Sequence, residues 1–136
     1  MNKETDEILN KKYDKLYKKF LKGKFSEVID GCNKFLKKRK HQLFFNLLCV
    51  AYQKIGKIDQ SIVVMNEALT LNPNHPNFLN NLGTCFYMLH KFSEAEKYFK
   101  RGLEIDNKHL HILNKTKVSE NENYFYAKKY IDADSF

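Results

Sequence analysis

The sequence predicts an all-α protein, a stack of helical hairpins, and three observations lead there. Only 5 Gly and 2 Pro occur in 136 residues, too few for the tight turns of a many-stranded sandwich or barrel. Apolar residues recur at intervals of three and four and break at short polar turns, as amphipathic helices require. The chain also repeats itself at 34 residues: Tyr52 returns as Phe86, Gly56 as His90, Ile58 as Phe92, Ser61 as Ala95, Met65 as Phe99, Ala68 as Gly102 and Leu71 as Ile105. Self-similarity of that period marks supersecondary units that bury their apolar faces on one another.

The first unit, 10–41, carries Tyr13, Leu16 and Phe20 on one helical face, then a second helix opening at Phe25-Ser26-Glu27, a tripeptide that recurs as Phe92-Ser93-Glu94. The second unit, 42–75, sets Phe45, Leu48, Cys49 and Tyr52 on its first helix and Ile58, Ile62, Met65 and Leu69 on its second. Asn72-Pro73 ends it, because the residue before Pro leaves the helical region and Pro cannot continue the ladder. The third unit, 76–109, repeats the arrangement. Ser26, Asp59 and Ser93 stand just before each second apolar face and can accept from orphan amides; Ser93 and Glu96 have capping-box spacing. Beyond 109 the spacing restarts with Leu110, Leu113 and Asn114, decays through a polar stretch, and ends in Tyr124, Phe125, Tyr126, Tyr130 and Ile131. A capping helix and an aromatic tail, 110–136, are expected, all within one domain spanning 1–136.

These residues resemble the tetratricopeptide repeat, whose pattern alternates bulky apolar and small positions along a helical hairpin. Unit 42–75 supplies Phe45, Leu48, Cys49, Tyr52, Ser61, Met65, Ala68 and Pro73, and unit 76–109 supplies Leu79, Leu82, Gly83, Phe86, Ala95, Phe99 and Gly102, with Asn107 in place of Pro. Small residues let two helix backbones approach while the large ones fill the holes between them. Unit 10–41 departs from the pattern at Tyr17, Val28 and Phe35, as terminal repeats do when one face meets solvent. The resemblance implies a right-handed α-solenoid of three hairpins with a cap.

It further implies a concave groove, lined by the first helix of each hairpin, that receives a peptide or helix of a partner protein. Carried onto this sequence, the groove positions include Asn46, Val50 and Gln53 in the second unit and Asn77, Asn80, Asn81, Thr84 and Tyr87 in the third. Lys15, Lys18 and Lys22 line the N-terminal end and Asn114 the C-terminal end. Asn46, Asn80 and Asn114 are 34 residues apart, so stacking would align their amides as a ladder able to bind peptide backbone. Relatives that dock the acidic tails of heat-shock chaperones use Lys, Asn, Asn, Lys and Arg at set positions. Here those positions read Asp14, Lys18, Leu47, Asn77 and Asn81, so that clamp is absent.

Charge singles out the first unit. Residues 1–41 hold 13 Lys and Arg against 6 Asp and Glu, nearly all of the chain's excess of +8. The lysines interleave with Tyr13, Leu16, Tyr17, Phe20 and Phe25, which describes an amphipathic helix with a basic face. Such a field can attract nucleic acid, anionic lipid or an acidic peptide, and charge alone does not choose among them; for an interaction module it favours a partner with acidic residues and shows itself in association rate and salt sensitivity.

No apolar run approaches the roughly 18 residues of a membrane span, and the first six residues do not resemble a secretory signal. The reading is a cytoplasmic protein. Cys32, Cys49 and Cys85 form no CxxC pair and are expected as reduced thiols in small core sites. His41, His75 and His109 share the 34-residue spacing and mark junctions or helix N-caps rather than a metal site, since stacked equivalents stand roughly 10 Å apart and ligands must lie about 2 Å from an ion. Asn114-Lys115-Thr116 is a glycosylation sequon, meaningful only in a secreted chain. No phosphate loop, nucleophile elbow, zinc helix or Cys-His pair is present, so no enzyme activity, cofactor or metal is expected. The function indicated is a protein–protein interaction scaffold. Two alternatives stand beside it: the N-terminal recruitment domain of a larger enzyme such as a transferase or hydroxylase, and a helical-repeat RNA binder. Self-association through the terminal helices is a further expectation.

Overall fold

The computed structural model describes residues 3–105, and the expected cap and aromatic tail, with His109 and Asn114, lie outside them. Six helices follow in order: α1 (Lys3–Leu21), α2 (Phe25–Lys38), α3 (Gln42–Lys54), α4 (Ile58–Leu71), α5 (Pro76–Met88) and α6 (Phe92–Ile105). No strand occurs among the described residues. The architecture is an all-α helical repeat. The chain divides into two compact units, Met1–Val64 and Met65–Phe136.

Every hairpin turns in the same way. At the end of α1 the Gly23 N–H donates to the Phe20 carbonyl and the Lys24 N–H to the Lys19 carbonyl, both at 3.0 Å. Gly56 and Lys57 donate likewise to Gln53 and Tyr52, and His90 and Lys91 to Tyr87 and Phe86. This is the Schellman arrangement, which satisfies the last carbonyls of a helix and needs a left-handed residue. Gly23 (φ 76°), Gly56 (φ 79°) and His90 (φ 60°) supply it, and His90 does so without glycine's freedom.

The same turn displaces the expected caps. The Val28, Ser61 and Ala95 amides donate to the carbonyls of Lys24, Lys57 and Lys91, so these lysines, each closing one helix, already open the next. Ser26, Asp59 and Ser93 therefore stand inside the first turn of α2, α4 and α6 and not at the cap. Lys24 makes no side-chain capping bond; the preceding turn has fixed its backbone. Helix α1 also begins well before residue 10, through the polar run Thr5, Asp6 and Glu7, which has no apolar periodicity to reveal it.

In the first unit, Val28, Cys32 and Leu36 of α2 and Phe44, Phe45, Leu48 and Cys49 of α3 are buried. Phe35 takes a place that a small residue fills elsewhere. Its ring stacks on Phe44 with centroids 3.6 Å apart and planes 8° from parallel, and Tyr13 meets Phe44 edge-on at 5.8 Å. The close approach of α1 and α2 moves instead to Gly31, where an added β-carbon would run into the Leu16 side chain. Gly31 corresponds to no small position of the later repeats. Ser61 Oγ, fully buried, donates to the Cys49 carbonyl at 2.9 Å, which ties α4 to α3 and removes the cost of burying a hydroxyl.

In the second unit the small positions act as the pattern predicts. Ala95 and Phe99 are inaccessible to solvent, and Gly83 admits the Phe99 ring. Phe86 and Tyr98 stack with centroids 5.4 Å apart. Complete burial of an aromatic ring of this size contributes on the order of 2–3 kcal/mol, so Phe99 anchors α6 on α5. All three cysteines are unbridged and buried.

Candidate binding surfaces

Apart from Lys22, in the turn after α1, and Asn114, outside the described residues, the candidate residues lie on α1, α3 and α5, the first helix of each hairpin. Lys15 and Lys18 of α1, and Lys22 just beyond its end, are all exposed. Lys15 lines a cleft between α1 and α2 together with Lys12 and Lys19, whereas Lys18 and Lys22 do not line it.

On α3, Asn46 and Val50 are half-buried and Lys54 is exposed. Gln53 is buried, with its Nε2 donating to Cys49 Sγ at 3.6 Å. This part of the predicted set therefore presents a narrow strip, with Gln53 held inward.

On α5, Asn77 is exposed, and Tyr87 is 36% exposed with its ring edge-on to Phe92 at 5.3 Å. Met88 is exposed beside it. Between these ends the helix closes: Asn80, Asn81 and Thr84 are buried. Thr84 Oγ1 donates to the Asn80 carbonyl at 3.0 Å, a bond within the helix that competes with any bond to a ligand. Asn80 Oδ1 is buried without a hydrogen-bond donor and lies 2.6 Å from where a β-carbon on Gly102 would sit.

That placement corrects the expected role of Asn80. Helical spacing puts it on the face of Asn77, Thr84 and Tyr87, but its carboxamide is turned onto the Gly102 backbone of α6 and the residue is only 6% exposed. The missing side chain at Gly102 makes the room. A sequence signal exists, since Gly102 stands where Ala68 and Phe35 stand in the other repeats, but which neighbour fills that space follows only from the packing. Two positions of the chaperone-tail clamp, Leu47 and Asn81, are buried as well, at 5% and 2% exposure.

The junction histidines act at helix starts. His41 is the N-cap of α3, and the Leu43 N–H donates to its Nδ1 at 3.2 Å. That bond requires an unprotonated Nδ1. Burial, then the neighbouring Arg39, lowers the His41 pKa, while Asp6 partly offsets them. His75 is the N-cap of α5, stacked on Phe78 at 3.9 Å, and burial lowers its pKa too. Among the described residues no cluster of three His, Cys, Asp or Glu is placed to hold a metal ion, and no helix is long and apolar enough to cross a membrane.

Comparison with known proteins fits this geometry. The tetratricopeptide repeat family profile matches residues 41–75 and 76–109, together half of the chain. No curated protein sequence matches significantly. Among solved structures, the type III secretion translocator chaperone SycD of Yersinia enterocolitica is similar at a TM-score of 0.76 and 16% identity, covering 94% of this chain and 90% of that one. PcrH of Pseudomonas aeruginosa is similar at 0.75 and 14% identity, covering 100% and 96%. The first such domain of human RPAP3 is similar at 0.68 and 21% identity, covering 90% and 91%.

Proposed function

We propose, for a chain that belongs to the tetratricopeptide repeat family, that it is a non-catalytic interaction module binding a peptide or short helix of a partner protein. One observation carries this reading. On α5 a buried middle, Asn80, Asn81 and Thr84, separates two accessible ends, Asn77 and Tyr87. A polar amide at one end and an aromatic ring at the other give an extended peptide a backbone partner and an anchor.

Two structures of the same fold support it. PcrH was solved with the chaperone binding region of PopB, and the first TPR of Spaghetti (RPAP3) with the HSP90 peptide SRMEEVD. The specificity of the latter does not transfer, because the clamp positions here read Asp14, Lys18, Leu47, Asn77 and Asn81. The basic first unit favours partners carrying acidic residues, and the three unbridged thiols favour a reducing compartment, the cytoplasm.

The test is selection of peptides from a random phage-displayed library on the native protein, followed by titration of the selected sequences. Asn77→Ala and Tyr87→Ala are expected to weaken them at least fivefold, with circular dichroism checking that each variant stays helical. Selected peptides indifferent to both substitutions, and to Asn46→Ala and Val50→Ala, would remove the reading. The SRMEEVD peptide serves as a negative control.

A further inference from the structure

The α1–α2 contact between Gly31 and Leu16 borders an open cleft. The cleft, of about 580 Å3, opens between α1, from Thr5 to Lys19, and the C-terminal half of α2, within the usual volume range of ligand sites. Ile8, Leu9, Leu16, Phe35 and Phe44 form its apolar floor. Lys12, Lys15 and Lys19 of α1 form one lip, and Lys34, Lys38 and Arg39 at the end of α2 the other. Among the described residues no carboxylate lines it. Its residues are absent from the predicted groove, Lys15 excepted.

We propose that this cleft is a second binding site, distinct from the surfaces on α3 and α5, and that its occupant is an acidic amphipathic helix of a partner protein. Two features select that chemistry. The floor is apolar and partly accessible, with Ile8 51% exposed, so an occupant gains by burying apolar side chains there. Lys12, Lys15 and Lys19 stand at spacings of three and four residues along a stretch of α1 from Thr5 to Lys19 that is about 21 Å long at the helical rise, and Lys34, Lys38 and Arg39 line the cleft from the other helix. A helix lying in the cleft presents flanking Glu or Asp residues at that same spacing, on both sides of its apolar stripe. A long-chain carboxylate brings one anionic end and engages a lip at one point only. On the α1 lip, Lys19 has Glu27 at 3.7 Å, and the Lys12 ammonium lies 6.0 Å from the centroid of the Phe35 ring.

The cleft differs from the rest of the basic surface in a way that an experiment can isolate. Lys18 and Lys22 follow on the same stretch of chain, are exposed, and lie outside it. Charge reversal at Lys15 and Lys34 changes the net charge by as much as reversal at Lys18 and Lys22, so any difference between the two pairs reports the cleft and not the long-range field.

The probe is a fluorescein-labelled 15-residue Leu/Glu peptide with Leu at i, i+3, i+4 and i+7, compared by anisotropy with a scrambled peptide of equal composition. Binding is expected to favour the amphipathic order and to weaken at least tenfold in Lys15→Glu/Lys34→Glu and in Ile8→Glu, which places a carboxylate at the floor. Lys18→Glu/Lys22→Glu is expected to cost less than threefold, and Asn77→Ala or Tyr87→Ala nothing, which separates this site from the one proposed above. Circular dichroism of each variant confirms that the helices are retained. Equal losses for the two charge pairs, equal binding of the scrambled peptide, or binding of oleate that excludes the peptide would each overturn the proposal.

Discussion

The ring of Phe99 fills the space that a side chain at position 83 would need: a β-carbon on Gly83 would lie 2.6 Å from both Cδ1 and Cε1, and 3.2 Å from the Ala95 carbonyl oxygen. Neither neighbour has room to retreat, since Ala95 and Phe99 are fully buried. Gly83→Ala is therefore expected to destabilise the protein by about 1–3 kcal/mol through overpacking, read as a lower urea midpoint at unchanged slope. Phe99→Leu in the same chain should recover part of the loss, so the double variant falls short of the sum of the two single effects. Strict additivity would mean that the contact is not the cause.

The three hairpin turns offer a comparison in which only the left-handed residue changes. A β-carbon on Gly56 would meet nothing within 4 Å, and the backbone there has a φ of 79°. Gly56→Ala thus acts through backbone strain alone and should cost about 1 kcal/mol. His90, at φ 60°, already bears that strain. His90→Gly is expected to raise stability by up to about 1 kcal/mol, less what is lost from its edge contact with Phe92 at 5.6 Å. Effects of the same sign at the two positions would contradict the shared turn geometry.

Stability should depend on acid through the helix starts. The pKa of His41 is lowered in the folded chain, so the unfolded chain binds a proton more readily. The stabilisation is complete above the ordinary histidine value of 6.5 and is lost as pH falls through the folded value. Protonation also ends the Leu43 bond to Nδ1. His41→Asn keeps an acceptor at the cap and removes the titration, so its unfolding midpoint should fall less between about pH 7.5 and 5 than that of the parent chain. His75, shifted in the same direction, supplies the remaining slope. An unchanged slope in His41→Asn would refute the assignment.

Burial pushes the Cys32 thiol up to about 12 from an ordinary 9.0. A raised thiol pKa stabilises fully below the unfolded value and loses that contribution as pH climbs from about 9 towards 12. Thiol reagents act on the thiolate, so the native protein should react negligibly at about pH 8, and all three cysteines should react after denaturation. Rapid labelling of Cys32 in the folded state would show that the α2–α3 contact opens readily.

Much of the fold is legible in the sequence because the 34-residue period is carried by residues whose size is constrained from both sides. Cys49, Gly83, Ala95 and Gly102 stand at small positions of the pattern, and all are buried. The helix starts read slightly late because Ser26, Asp59 and Ser93 are good capping residues by type, while the actual caps are lysines placed there by the preceding turn. The candidate binding residues are legible by helical face but not by accessibility. Asn77 and Asn80 are three positions apart on one helix, yet one meets solvent and the other meets Gly102. The basic cleft is invisible in the sequence for a different reason. Phe35 and Gly31 of α2 line it, and a repeat alignment records Phe35 only as a misfit.

The hairpin reversals have a consequence for how such a chain can change. Each is closed by main-chain amides and carbonyls, and the side chains between Lys19 and Lys24, Tyr52 and Lys57, or Phe86 and Lys91 make none of those bonds. The joint is thus set by its length and by the left-handed residue at its fifth position. Deleting a single residue from any of them would rotate the following helix by about 100° and turn its oily stripe towards water.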